Sequence, residues 1–309
     1  MPHRNSHGPP DLHQLRTFLA VYRAGSVTAG ARLVGLSQPT VTTQLRALEE
    51  RLGRALFERL PRGVAPTAAA DALAARLAGP LDALEEVAGG AGARESAPEP
   101  PVQLGGPAEA LAALVLPVLA PLVAEGVRLR VATGLAEDLL AGLRAGVHDL
   151  VFSSVRPRGR TLLAEPLLDE EFVLVASPAT AEAVGPGLLE AAGPAALDGV
   201  PLVAYADDLP ILRRYWRHVF GVRLTVAPAL VVPDLRGVLA AVAFGAGVSV
   251  LPRYLCASGL EAGTLVALLE PDDPPINTMF LVRRAGAPAG PHVTAVYRRL
   301  QEALGRRSF

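Results

Sequence analysis

The sequence predicts an α/β protein built in parts: an N-terminal winged helix-turn-helix, a linker helix, and a C-terminal α/β body of two subdomains. Three observations carry that expectation. Residues Ser26 to Arg46 hold two short helical patterns joined by a Gly-Leu-Ser turn. From Val102 onward, short β-branched runs alternate with helical ones, the pattern of a parallel sheet. Charge is also divided: eight arginines face four carboxylates between Asp11 and Ala65, a balance of +4, while the chain from Pro66 onward carries −6. A basic head on an acidic body suits a head that meets nucleic acid and a body that does not. The expected divisions are a disordered tail at 1–10, a head at 11–66, a linker helix at 67–90, a hinge at 91–101 and a body at 102–309. Within the body, one subdomain takes 102–160 and 266–309, the other 161–265.

In the head, Leu12, Leu15, Leu19 and Tyr22, with Phe18 beside them, mark a first helix that packs on the helix-turn-helix. Ser26 opens a second helix. Ser37 is an N-cap for a third, with Pro39 in the first turn, where a missing N–H does little harm. Val41, Leu45, Leu48 and Leu52 form its buried stripe. Helical phase then places Pro39, Thr40 and Thr43 on the opposite side, flanked by Thr42 and Arg46, a small hydroxylic surface narrow enough for a DNA major groove. The run Leu56-Phe57-Glu58-Arg59, Pro61-Arg62-Gly63, Val64-Ala65-Pro66 has the strand–turn–strand form of a wing, with Arg59 and Arg62 placed for phosphates or the minor groove. Thr67 is an N-cap for a helix to about Ala88, whose apolar stripe Leu73, Leu77, Leu81, Leu84, Val87 needs a partner, a second copy being the simplest. Gly79-Pro80 is expected to kink or break that helix.

In the body the expected strands are Val102–Gly105, Val127–Val131, Asp149–Ser153, Leu167–Ser177, Leu202–Tyr205 and Leu224–Val232. Helices are expected over Ala108–Glu125, Ala136–Ala145 and Asp234–Ala243, another capped by Asp208, and a last around Val293–Leu304. Gly245-Ala246-Gly247 lacks a third glycine and a preceding strand, so it reads as a tight helix-to-strand turn and not as a dinucleotide loop.

Composition narrows the function. No apolar run approaches the roughly 18 residues of a membrane span, and the N-terminus lacks the apolar core of a signal peptide. Cys256 is alone, which excludes an internal disulfide, fits a reducing cytoplasm and reads as a small buried hydrophobe. The histidines are scattered, so neither a metal nor a cofactor is expected. Ser153-Ser154 has no nucleophile elbow, and a chain without lysine has no Gly-Lys-Ser phosphate loop. No catalytic constellation emerges, and an enzyme is not expected.

Leu12 to Leu73 resembles the winged helix-turn-helix of the LysR-type transcriptional regulators. The matching residues are Leu15, Phe18, Ala20, Ser26, Ala29, Ala31, Leu33, Ser37-Gln38-Pro39, Leu48-Glu49, Leu52-Gly53, Leu56-Phe57-Glu58-Arg59, Arg62-Gly63 and Thr67. The body resembles that family's effector domain and the periplasmic binding proteins through Leu139 to Leu150, Glu165-Pro166-Leu167 and Val238 to Pro252, with the chain crossing between subdomains near Thr161 and Gly263. The resemblance implies contact of Gln38, Pro39, Thr42 and Thr43 with DNA bases or phosphates, Arg62 in the wing, and dimerisation through the linker helix. It further implies a dimer or tetramer on an interrupted palindrome in a promoter region, RNA polymerase as a partner, and control by an unidentified small-molecule effector. The family's Thr-x-Ala-Gly linker start is Thr67-Ala68-Ala69-Ala70 here.

Open α/β sheets bind ligands where strand carboxyl ends meet helix N-termini. Three strand ends qualify: Gly106-Pro107-Ala108, Ser153-Ser154 and Pro233-Asp234, with Tyr205 on the opposite wall. The small hydroxyl residues frequent there in the family are replaced by Gly106, Pro107 and Asp234; Asp234 disfavours an acidic ligand unless it is neutralised, and Arg213 and Arg214 are a possible carboxylate site. Two alternatives follow: a DNA-binding regulator with a vestigial cleft working through protein partners, and a ligand-binding or catalytic α/β protein whose head only mediates interaction.

Overall fold

The computed structural model describes residues 11–59, 63–88, 99–287, 289–305 and 307–308. The expected tail, the wing tip with Arg62, and most of the hinge at 91–101 lie outside the described residues, as do the side chains of Arg59 and Val87.

The head consists of α1 (Leu12–Ala24), α2 (Val27–Val34), α3 (Gln38–Leu52) and the antiparallel wing strands β1 (Phe57–Arg59) and β2 (Val64–Pro66). Its three helices all carry side-chain caps at the start, from Asp11, Ser26 and Ser37, and all end on a left-handed glycine: Gly25, Gly35 and Gly53. The wing is fastened by Glu49 of α3, whose Oε1 accepts from the backbone N–H of Leu56 at 2.7 Å and of Phe57 at 3.2 Å. Val41, Leu45 and Leu48 are buried as the stripe requires. In α1 the buried face centres on Phe18, Leu19 and Val21, with Leu15 and Tyr22 half-buried against the head core, and Leu12 is 49% exposed.

Thr67 caps α4 (Ala68–Ala88), its Oγ1 accepting from the Ala70 N–H. Of the kink or break expected at Gly79-Pro80 the break is absent, for the helix continues through Pro80; Pro80 is exposed, so the lost hydrogen bond faces water. The buried face of α4 is Ala70, Ala74, Ala78 and Leu81, one residue round from the expected leucine stripe, because small side chains allow close approach to α1 and to the body. Leu81 is therefore enclosed within its own chain; Leu73 and Leu77 are half-buried and Leu84 is 51% exposed.

The body has one sheet path of order β10-β6-β11-β5-β3-β4 with β9 also on β6. Strands β3 (Val102–Gly106), β4 (Leu129–Thr133) and β5 (Leu150–Ser153) are parallel, crossed over by α7 (Ala136–Arg144) and by a helical stretch of α5 (Ala108–Ala110), a π-turn segment (Leu111–Val115) and α6 (Leu116–Ala124). The long strand β6 (Leu162–Ala176) runs through both subdomains: Leu167 and Leu168 belong to the first core, Phe172 and Leu174 to the second. The chain returns between β10 (Val266–Leu269) and β11 (Ile276–Arg284). Both crossings lie later than Thr161 and Gly263. The strand expected from Leu167 begins earlier, at Leu162: Pro166 stays in it, paired with Phe280 beside a β-bulge whose extra residue is Leu167.

The second subdomain adds α8 (Pro178–Val184), α9 (Leu188–Ala192), β7 (Val203–Ala204), α10 (Pro210–Val219), β8 (Leu230–Val231), α11 (Leu235–Ala243), β9 (Val248–Pro252) and α12 (Arg253–Glu261). Of the strand expected over Leu224–Val232 only Leu230 and Val231 pair, since β7 offers them two residues. Asp208 does not cap α10; buried Leu209 takes the cap position at φ 53°, ahead of Pro210. The turn at Gly245–Gly247 forms as expected. Gly247 has φ 140°, and a Cβ there would stand 2.1 Å from the Pro201 carbonyl oxygen. Helix α13 (Pro291–Leu304) and β12 (Arg307–Ser308) close the first subdomain.

Head, linker and body meet at one carboxylate. Asp82 of α4 receives Arg23 of α1 in a two-pronged contact, 2.9 Å to each oxygen, and Arg284 of β11 at 3.2 Å. Arg284 also donates to the carbonyls of Leu143 and His148 at 3.0 and 2.8 Å. Arg23 lies across Gly146, where a Cβ would collide with its Nη2 at 2.2 Å and where φ is +75°. Ala145 and Val147, on either side, join the apolar core of the head. Removing one member of a mostly buried ionic cluster leaves the others desolvated and unpaired. Asp82→Ala is expected to lower unfolding stability by about 2–4 kcal/mol, measured by denaturant titration; a change within about 0.5 kcal/mol would show the cluster to be incidental.

Candidate functional site

Two surfaces gather the residues singled out from the sequence. The first lies between α2, α3 and the wing, a concave surface of about 580 Å³ lined by Ser26, Val27, Thr28, Gln38, Thr42, Leu45, Arg46, Glu49, Phe57, Gly63 and Val64. Ser26, Gln38, Thr42 and Arg46 therefore share one face. Pro39, Thr40 and Thr43 are exposed on the adjoining flank of α3. Ser37 and Thr40 are bonded to each other, 2.8 Å between their hydroxyls, as part of the cap. Thr42 and Thr43 donate their hydroxyls to the carbonyls of Gln38 and Pro39, which leaves each methyl as the free group. Glu49, the carboxylate on this face, is held by the wing N–H groups. Thr28 was not singled out from sequence; its exposed place in the first turn after Ser26 was the available signal.

The second surface is a cleft of about 840 Å³ between the subdomains. Pro107, Ala108, Ser154, Tyr205, Pro233 and Asp234 line it together, drawn from four strand ends. Gly106 and Ser153 do not. Gly106 is buried under Leu111, and the Ser153 hydroxyl is closed on its own loop, donating to the Val155 carbonyl at 2.8 Å and accepting from the Val155 N–H at 3.1 Å. Asp234 caps α11 and is neutralised by Arg236 two residues on, 2.7 Å away, which holds its carboxyl below the usual range. Residues the sequence reading missed include Glu109, Thr133, Glu170, Phe172 and Asn277. Arg214 also lines the cleft and donates to the Ile276 carbonyl, whereas Arg213 lies outside it.

Domain-level comparison agrees with this geometry. The model described as "Bacterial regulatory helix-turn-helix protein, lysR family" matches residues 12–71, and that described as "LysR substrate binding domain" matches residues 95–305. The chain belongs to the LysR family of transcriptional regulators. It is 48% identical over 296 residues to the HTH-type transcriptional regulator AbaB of Streptomyces antibioticus, covering 95% of this chain and 98% of that protein. Its fold is similar to ArgP of Mycobacterium tuberculosis (TM-score 0.75, 22% identity, 97% and 99% of the two chains). It is likewise similar to full-length LysG of Corynebacterium glutamicum with bound effector arginine (TM-score 0.66, 20% identity, 96% and 99%). This is a DNA-binding transcriptional regulator carrying an effector-binding domain.

Within that LysR effector-binding domain, the floor of the cleft is charged. Glu170 is only 6% exposed, at an inward position of β6 between Leu168 and Phe172. Its Oε1 accepts from Asn277 Nδ2 at 2.8 Å. Burial pushes its carboxyl up to about 7, the nearby charge of Glu109 adding to the effect and the Asn277 hydrogen bond opposing it. Glu109 is itself raised, first by burial. The Tyr254 hydroxyl stands against Glu170 without closing a hydrogen bond of ordinary geometry. Cys256 is fully buried, and burial pushes its thiol up to about 12, so it remains a protonated apolar filler at neutral pH.

A carboxyl whose folded value exceeds its unfolded one weakens the fold as it ionises. The cost is absent below about pH 4.5 and grows until pH passes about 7. Glu170→Gln keeps an acceptor for Asn277 and removes that charge. The variant is expected to be more stable than the parent by about 1–3 kcal/mol near pH 8, with the difference closing near pH 4, as read by thermal unfolding across pH. A variant less stable at pH 8 would contradict the electrostatic account of this site.

Proposed function

We propose that this regulator lays α3 in a DNA major groove, reading base edges with Gln38, Pro39, Thr42 and Thr43. Ser26, Ser37, Thr40 and Arg46, with Arg59 and Arg62 of the wing, hold phosphates on either side. The observation that carries this reading is the shared face of Ser26, Gln38, Thr42 and Arg46, whose one carboxylate is already engaged by the wing. Gln38 suits an adenine edge, and threonine methyls with satisfied hydroxyls suit the thymine methyl.

The cleft takes the small-molecule effector; its size and its apolar wall beside convergent polar and charged groups support a working site over a vestigial one. Ligand seated between the subdomains changes their relative closure and so the spacing of two heads across an interrupted palindrome. The outer edge of α4, with half-buried Leu73 and Leu77, exposed Leu84 and Val87 next in the sequence stripe, supplies the dimer contact, and a tetramer forms by pairing dimers. Leu81 has no part in it. The protein works in the cytoplasm with RNA polymerase at its promoters. No helix among the described residues is long and apolar enough to cross a membrane.

Footprinting on the protein's own upstream region, at stated salt, tests the reading. Gln38→Ala is expected to cost about 1–3 kcal/mol at the specific site and to relax discrimination at one base position. Arg62→Ala is expected to weaken binding on all sequences and to flatten the salt dependence. Unchanged discrimination in the first variant, or an unchanged salt slope in the second, would remove the corresponding assignment.

A further inference from the structure

The charges of the cleft do not cancel. Glu109, Glu170 and Asp234 line it against Arg214 and Arg236. Asp234 and Arg236 are consumed by each other at 2.7 Å, on the same helix end. Arg214 is engaged by the Ile276 carbonyl at the cleft margin. Glu109, from the first turn of α5, and Glu170, from the floor strand, come from different elements of the first subdomain's side, and charge on one opposes charge on the other. No described side chain forms an ion pair with either. Phe172, Ile211 and Met279 supply an apolar wall beside them.

Resting on the reading of the cleft as the effector site, we propose that the effector is a small organic cation. Its amino or guanidino group sits between Glu109 and Glu170, and its apolar portion lies along Phe172 and Met279. A positive charge there relieves the opposition of the two carboxylates and pairs a buried one that is otherwise costly to ionise. An anionic ligand would face the same two carboxylates, with Arg236 paired to Asp234 and Arg214 as the one cleft cation outside an ion pair among the described residues.

The groups facing Glu170 are Glu109 from α5, Asn277 from β11, Tyr254 from α12 and Arg214 from α10. Of the four only Arg214 carries positive charge, and it contributes least to stabilising the carboxylate. Binding a cation therefore needs Glu170 to lose its proton, which links affinity to pH. With a carboxyl at about 7, the ionised fraction rises about tenfold between pH 6 and pH 8.

The test uses the purified full-length protein and a charge-matched set of probes: pentylamine and agmatine as cations, 1-pentanol as the neutral member and pentanoate as the anion, extended to a fragment library balanced in the same three classes. Thermal shift finds binders and calorimetry measures them. The expected result is that binders are cations, and that the best of them binds about tenfold more tightly near pH 8 than near pH 6. Glu109→Gln weakens it, and Glu170→Gln weakens it and levels the pH profile. Circular dichroism and unfolding of each variant confirm that the fold is retained. Ser154→Trp, which fills the cleft, abolishes the binding. Anions or neutral compounds that bind, are displaced by Ser154→Trp and ignore both glutamate changes would overturn the cation assignment while leaving the cleft as an effector site. Cation binding indifferent to Ser154→Trp would also overturn it. If no class binds, the reading of the cleft itself fails and the assignment falls with it.

Discussion

The structure depends on the sharing of Asp82 by Arg23 and Arg284. Three parts of the chain that are far apart in sequence, the first helix of the head, the linker helix and an inner strand of the body, converge on one carboxylate. A single acid between two arginines is not a strong fastening if exposed, where screening and side-chain entropy leave little net gain. Here the three side chains are 14%, 26% and 12% exposed, and Arg284 is further held by two carbonyls of the α7–β5 turn. Low exposure makes every partner matter, because any one left alone keeps its desolvation cost. The apolar complement is the alanine face of α4, which lets the head and the Ala145 turn close on the same helix.

The cleft depends on a second placement of charge, this time without compensation. Strand alternation puts Glu170 inward between Leu168 and Phe172, in a position that most strands would give to an apolar residue. A buried carboxyl of this kind is costly to the fold when ionised, and such costs persist where a site uses them. The neighbouring Asp234, by contrast, is a helix cap neutralised by its own helix, so its negative charge is local bookkeeping of the fold and not an open site.

Much of this was legible in the amino-acid sequence, and the failures have physical causes. The helix-turn-helix could be read because its signals are local: Ser37, Pro39 and Gly53 lie within a turn of the boundaries they set, and Val41, Leu45 and Leu48 repeat at helical spacing. The strand-end rule located six cleft residues because it follows from sheet topology, and the parallel βαβαβ arrangement of β3, β4 and β5 was itself readable. Gly106 and Ser153 failed for the same reason in two forms: a residue at the right strand end can still face the core or close on its own loop. The buried face of α4 was misread because a leucine stripe and an alanine stripe run side by side, and only the tertiary contacts decide which one closes against the chain. Glu170 and the Asp82 cluster were beyond reach, since their meaning lies in partners 107 and 202 residues away. The one available hint, an acid at an inward register between Leu168 and Phe172, becomes visible once β6 is known to continue through Pro166.

The most direct test of the junction is a double-mutant cycle on unfolding free energy, with Arg23→Met and Arg284→Met made singly and together. Methionine keeps much of the side-chain volume while removing the charge. If both arginines act through the same carboxylate, the cost of the double change differs from the sum of the single costs by about 1 kcal/mol or more. If the costs add to within about 0.3–0.5 kcal/mol, the two arginines act independently, and Asp82 does not couple the head to the body.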